Sequence, residues 1–285
     1  MRWLIPALLL IPLAGCPSGG EDGGTAPETA TPAAATPAVS SAPAAGEPLL
    51  IWADPLLHVV LEGLRDEFEA RYAPGYSALY LERGELTARL AEDEPPPLPD
   101  IFVIADQEVF AALREGGFID EATARTFAGD RLALVQQVGE GYEAGSLFDV
   151  YKLRFDQFAL GEEGTAVGYY GEQALLTEGC FDRLADRLVR YGRTSELIGA
   201  LSGVPRRLGI VCASTVVQRS ELEVVMLISE ERHQDIRYQA MAARGRGTAE
   251  GVADLLRFLS EEEEIQTLLG GYGLLDRDEA LIENK

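Results

Sequence analysis

The stretch Pro99–Asp120, "PDIFVIADQEVFAALREGGFID", decides how the chain is read. "DIFVIA" is a short apolar run, long enough for a buried strand and too short for a buried helix. "QEVFAALREGG" then places apolar residues at helical spacing and ends on Gly116-Gly117, a helix stop. A strand therefore runs into a helix through Ala105, a residue with no side chain for chemistry. In open α/β sheets a ligand lies beyond the carboxyl ends of the strands, where helix N-termini present free N–H groups and a positive dipole end. A small residue at that join lets an anion approach closely, so Ala105 is a candidate backbone donor. An ordinary tight strand-to-helix turn is the alternative.

The same rhythm extends upstream. "PLLIWA" (48–53) is predicted as a strand, and "LLHVVLEGLRDEFEARY" (56–72) as a helix with Asp54 as N-cap and Pro55 in its first turn. "YSALYLE" (76–82) alternates as a strand and "ELTARLAEDE" (85–94) reads as a helix. Repeated β-α units predict an α/β fold with a mostly parallel sheet covered on both faces.

The two ends of the sequence read differently. Met1-Arg2 precedes an apolar run broken by Pro6 and Pro12, and "LAGC" ends it at Cys16. A membrane span needs about 20 apolar residues, so residues 1–15 are expected to be a secretory signal. "LAGC" resembles the lipobox of bacterial lipoproteins, which implies lipidation of Cys16. Residues 16–48 are rich in Ala, Pro, Thr and Gly and lack bulky apolar groups, the composition of a disordered tether. The 24 Lys+Arg against 47 Asp+Glu give a formal charge of −23, and no basic stripe with interleaved aromatics is present. Nucleic acid is excluded as a partner on that ground. Cys180 and Cys212 are expected as separate thiols, although an oxidising compartment permits their pairing.

Pro99–Asp120, followed by "TFAGDRLALV" (126–135), resembles the periplasmic molybdate-binding proteins of ABC transporters. The resemblance continues through "AVGYYGEQALLTEGCFD" (166–182), "LGIVCAST" (208–215), "LISEERHQDIRYQAMAA" (227–243) and "FLSEEEEIQTLLGGYGL" (258–274). It implies a two-lobed type II periplasmic binding protein fold, each lobe a mostly parallel sheet flanked by helices. Lobe I would comprise 49–132 plus 236–285 and lobe II 133–235, with crossings near Leu132–Val135 and His233–Tyr238. Together with the lipobox at Cys16 it implies a lipid-anchored, monomeric receptor in the cell envelope, facing the periplasm or the extracellular side. Such a receptor would bind a small, molybdate-like oxyanion in its cleft and deliver it to an ABC permease, with neither catalysis nor a cofactor.

The ligand shell of that family combines two serine hydroxyls, backbone N–H groups and a tyrosine hydroxyl. Carried over, the first serine falls at Leu56, the second at Glu82 or Arg83, and the tyrosine at Cys212, so each hydroxyl is replaced. The backbone donors fall at Ala105, Val167 and Thr194. Arg83 is either a replacement ligand, forked toward an oxyanion, or an exposed arginine paired with Glu82 or Glu85. Asp54 and Glu82 would repel an anion at the cleft mouth, or else serve as a helix cap and a solvated face.

Other features carry less. Tyr169-Tyr170 invites comparison with the tyrosine pairs of ferric-ion-binding relatives, but Tyr170 is expected in the core. His58 and His233 lack zinc spacing. The glycines at 161, 164, 168 and 171 are not followed by Gly-Lys-Ser/Thr. Cys212 has no base placed by sequence to activate it. Ser260 is expected to cap a helix, with Glu263 completing a capping box. Two alternatives to the oxyanion receptor remain at this level: a degenerate binding fold serving as envelope sensor or scaffold, and a receptor for another ligand such as ferric ion.

Overall fold

The computed structural model describes residues 46–92, 97–249 and 251–281. The expected signal segment, Cys16 and nearly all of the tether lie outside the described residues. In chain order the strands are β1 (Leu49–Ala53), β2 (Tyr76–Tyr80), β3 (Ile101–Ile104), β4 (Arg125–Asp130), β5 (Leu132–Gln137), β6 (Gln157–Gly161), β7 (Leu188–Tyr191), β8 (Arg207–Cys212), β9 (Leu222–Leu227) and β10 (Ile236–Ala242). The helices are α1 (His58–Arg71), α2 (Arg83–Leu90), α3 (Gln107–Glu115), α4 (Ala166–Thr177), α5 (Phe181–Leu184), α6 (Thr194–Gly203), α7 (Ala213–Val217), α8 (Val252–Glu261), α9 (Glu263–Gly271) and α10 (Arg277–Leu281).

Two five-stranded sheets share one plan. The first has the order β2-β1-β3-β10-β4 and the second β7-β6-β8-β5-β9. In each, three strands run parallel, the fourth runs against them, and the edge strand turns back to the majority direction. Each reversed strand, β5 or β10, is the one that enters directly after the chain leaves the other sheet. The first passage is the single residue Arg131, between β4 and β5. The second is the segment 228–235, which contains a short 3-10 turn at Glu230–Arg232.

β3 explains the character of the opening stretch. Ile101 and Val103 join the large core cluster, whereas Phe102 and Ile104 face a second cluster with Trp52, Leu113 and Met241. All four are at most 2% exposed, so the run is apolar on both faces because both faces of the sheet are covered. Ala105 continues the alternation, and its methyl packs in the large cluster. Gly116 caps α3 and Gly117 takes φ +63°, the left-handed conformation that ends the helix.

Two local expectations are corrected. Ser260 lies inside α8, its hydroxyl donating to the Leu256 carbonyl at 2.7 Å. α9 starts instead at Glu263, with Glu262 as N-cap and no capping box. The acidic run is thus divided between two helices, because the apolar face of α8 continues through Leu259 and holds its last turn against the core.

Candidate functional site

The three parallel strands of the first sheet each lead into a carboxylate that caps the next turn or helix. After β1, Asp54 accepts the Leu56 N–H at 2.9 Å and opens the turn Pro55–Leu57. After β2, Glu82 is the N-cap of α2 and shares a capping box with Glu85, whose carboxylate accepts the Glu82 N–H at 3.1 Å. After β3, Asp106 caps α3 by accepting the Val109 N–H at 2.6 Å. A carboxylate is favourable at a helix N-terminus because the free N–H groups and dipole stabilise it. The consequence is an edge of three buried acids where an incoming anion would need donors; they are 7%, 4% and 2% exposed.

The second sheet presents hydroxyls instead. Thr165 caps α4 by accepting the Gly168 N–H at 3.0 Å, and Val167 is buried in that first turn. Thr194, the first residue of α6, donates its N–H to Glu82 Oε1 at 2.7 Å and its hydroxyl to Oε2 at 3.1 Å. The backbone donor carried over from the resemblance is therefore occupied by a carboxylate of this same chain. At the first passage between sheets, Asp130 receives the Ser214 hydroxyl, the Tyr238 hydroxyl at 3.1 Å and the Arg131 N–H at 2.8 Å.

Arg83 ties the two lobes together. Its Nε lies 2.9 Å from Asp106, it also pairs with Glu108, and its guanidinium sits 4.4 Å from the Tyr169 ring centroid. These partners replace the Glu82 or Glu85 pairing, one of the two sequence readings of Arg83, because the start of α2 directs Arg83 toward α3 while Glu85 pairs with Arg193 at 2.5 Å. Tyr169 donates to Glu108 at 2.6 Å, and fully buried Tyr170 donates to the Ala105 carbonyl at 3.0 Å. The Gly84 N–H donates to the Gly164 carbonyl at 2.8 Å.

Burial sets the acidity of these groups. It pushes Asp54 up to about 8, opposed by the Leu56 N–H and reinforced by Glu82 and Asp106. Burial also raises Glu82 against the two Thr194 donors, and raises Asp106 against the Val109 N–H and Arg83. Asp130 is pushed to about 6 by burial, against its hydroxyl and N–H donors. The Cys212 thiol is held well above its usual range by burial and by Asp130 and Asp54 nearby, which leaves it a poor nucleophile. Cys180 and Cys212 are both buried and unpaired with each other.

Between the lobes lies a cavity of about 360 Å³. Of the six ligand positions inferred from sequence, Leu56 and Thr194 meet in its wall; Ala105, Val167, Arg83 and Cys212 lie outside it. Glu82 also lines it, together with Arg193, Ser195 and Arg219, which sequence reasoning did not single out. The signal available for two of these was "GRTSEL" (192–197), a strand exit followed by hydroxyl residues at a helix start. Among the described residues, no group of three His, Cys, Asp or Glu is placed to hold a metal ion, and no helix is long and apolar enough to cross a membrane.

Comparison with known proteins places this geometry. The chain is 28% identical over 158 residues to the molybdate-binding protein ModA of Escherichia coli K12, an alignment covering 53% of this chain and 60% of that protein. It is 24% identical over 193 residues to the Haemophilus influenzae protein of the same name, covering 65% and 73%. The chain thus spans about three fifths of the length of the first relative and somewhat more of the second. The periplasmic molybdate-binding protein of Azotobacter vinelandii superposes with a TM-score of 0.66 at 19% identity, covering 80% of this chain and 98% of that one, a likeness of fold. The family model described as bacterial extracellular solute-binding protein matches residues 49–275. With two mixed sheets, a cavity where their strand ends meet and a family match across nearly all the described residues, the chain belongs to the bacterial extracellular solute-binding proteins.

Proposed function

We propose that this chain is the receptor of an ABC transporter, tethered by a lipid on Cys16, and that it captures a solute bearing an anionic group between its lobes for delivery to a permease. The lobes would divide at Arg131 and within 228–235. The observation that carries the reading is the cavity of about 360 Å³ walled by both lobes at the strand ends, within the range of small-molecule sites. Arg193, Arg219 and the Ser195 hydroxyl supply its donors to an anion. In this reading Leu56 meets the ligand and Thr194 holds Glu82 in the cavity wall, whereas Ala105, Val167, Arg83 and Cys212 pack or close the lobes around it.

Tight molybdate binding is not expected. Glu82, the one of the first sheet's three acids that lines the cavity, opposes a bare oxyanion, and it already engages Thr194. Calorimetry of the mature protein against molybdate, tungstate, sulfate, phosphate and ferric citrate tests this: the expected outcome is weak or no binding of each, and submicromolar molybdate binding would overturn it. The occupied Thr194 donors also favour a second reading, a cleft closed on its own carboxylate and retained as an envelope sensor. That reading requires that organic anions fail to bind as well. Incorporation of labelled palmitate, lost in Cys16→Ser, tests the anchor.

A further inference from the structure

We propose that the ligand is a small zwitterion of the α-amino acid class, its ammonium set against Glu82 and its carboxylate against Arg193 and Arg219. The inference rests on the receptor reading above and names the ligand class for that same cavity.

Glu82 is a buried carboxylate whose charge Arg193 offsets only at longer range. Glu82 is 4% exposed and lines the cavity, yet among the described residues it forms no ion pair. Its neighbours Arg83 and Arg193 are directed to Asp106 and Glu108 and to Glu85. Burying a carboxylate without a cation is expensive, and hydrogen bonds alone offset the cost only in part. Thr194 grips both oxygens of Glu82 and fixes the carboxylate in one orientation. An ionised carboxylate has about four acceptor sites, so the grip leaves capacity for a further donor. A ligand ammonium supplies both the donor and the missing charge.

The rest of the cavity has the opposite character. Among the described residues, Arg193 pairs with one carboxylate, that of Glu85, and keeps an exposed side chain, while Arg219 lies 3.9 Å from the Glu221 carboxylate. Guanidinium groups so placed at the rim suit a carboxylate, which they bind in a forked geometry. Leu56 and Ile198 offer apolar wall to a carbon body. A bare tetrahedral oxyanion would meet Glu82 with no positive group to set against it. A monoatomic cation would leave the arginines unused and finds no triad of ligands among the described residues. A molecule with both charges a few bonds apart satisfies both walls without moving Glu82.

The test is calorimetry of the mature protein with the twenty standard L-amino acids, followed by the deaminated acid and the decarboxylated amine of the tightest binder. We expect at least one amino acid to bind, each truncated analogue to bind at least tenfold more weakly, and Glu82→Gln to weaken the amino acid at least tenfold without weakening the deaminated acid. An unfolding curve confirms that the variant is folded. If the deaminated acid binds as tightly as the amino acid, or if inorganic or organic anions bind and amino acids do not, the zwitterion is overturned and the anion receptor stands. If no anionic or zwitterionic solute in either panel binds, the receptor reading itself fails.

Discussion

Two flanks of the cleft treat buried acid in opposite ways. On the Arg83 flank, Asp106 has a guanidinium 2.9 Å away, Glu108 shares it, and Tyr169 from the other lobe covers its face. On the Glu82 flank, Asp54 and Glu82 have hydrogen bonds from Leu56 and Thr194 and, among the described residues, no ion pair, Arg193 acting on Glu82 only at longer range. Both flanks are built from capping residues at strand ends, so the local rules that made them are the same. The difference is that one flank is complete within the chain and the other is not. A self-sufficient flank holds the lobes together, whereas an unfinished one is where, on the reading proposed above, a solute would add something.

The largest expected effect is on the unfinished flank and depends on pH. Because the folded protein raises Asp54 to about 8 from an unfolded value near 3.8, the folded state binds more protons than the unfolded state between those limits. Stability therefore falls as pH rises from about 4 to about 8, by up to about 6 kcal/mol for a shift of this size. Asp54→Asn keeps an acceptor for the Leu56 N–H and removes the titration. Its stability advantage over wild type, from urea unfolding at a series of pH values, should grow across that window. A constant difference would show that Asp54 is not held protonated.

A paired comparison of adjacent residues comes next. Arg83→Met leaves Asp106, whose side chain is 1% exposed, without its cation. Breaking a buried pair in this way should cost about 3 kcal/mol at pH 7. Glu82→Gln should move stability the other way by about 1 kcal/mol, because the amide retains an acceptor for Thr194 and ends the burial of an unpaired charge. Denaturant midpoints of the two variants settle the matter: equal signs would erase the distinction between the flanks.

Sequence reading reached the first sheet's framework more readily than its pairings. The strand–helix alternation, the two-sided burial of β3 and the capping role of Asp54 come from short-range pattern, where the deciding residues lie within a few positions of one another. Asp106 as a cap was equally open to that logic. The Glu82–Thr194 contact was not, since it joins residues 112 apart in sequence and depends on how the two lobes meet. Glu82 accordingly read as a repulsive carboxylate at a mouth or a solvated face, while the structure buries it. Arg83 failed in the same way: its local neighbours Glu82 and Glu85 were nearer in sequence, but α3 brings Asp106 and Glu108 nearer in space. Carrying ligand positions over from a family found Leu56 and Thr194 at the cavity and not the rim arginines, which occupy positions outside that family's ligand shell as carried over.

The Gly84–Gly164 contact sets a limit that side chains do not. There the two jaws touch main chain to main chain, and a methyl built on Gly84 would stand 3.3 Å from the Gly164 α-carbon, whereas one built on Gly164 would stand 3.9 Å from that of Gly84. The first is tighter than ordinary contact and the second is not. A residue at 84 would thus act as a shim, wedging the jaws apart by an amount set by its size, while alanine at 164 would fit the bite as it stands. The pair is a mechanical stop whose thickness is one hydrogen atom on each side, and it sets how closely the two main chains approach.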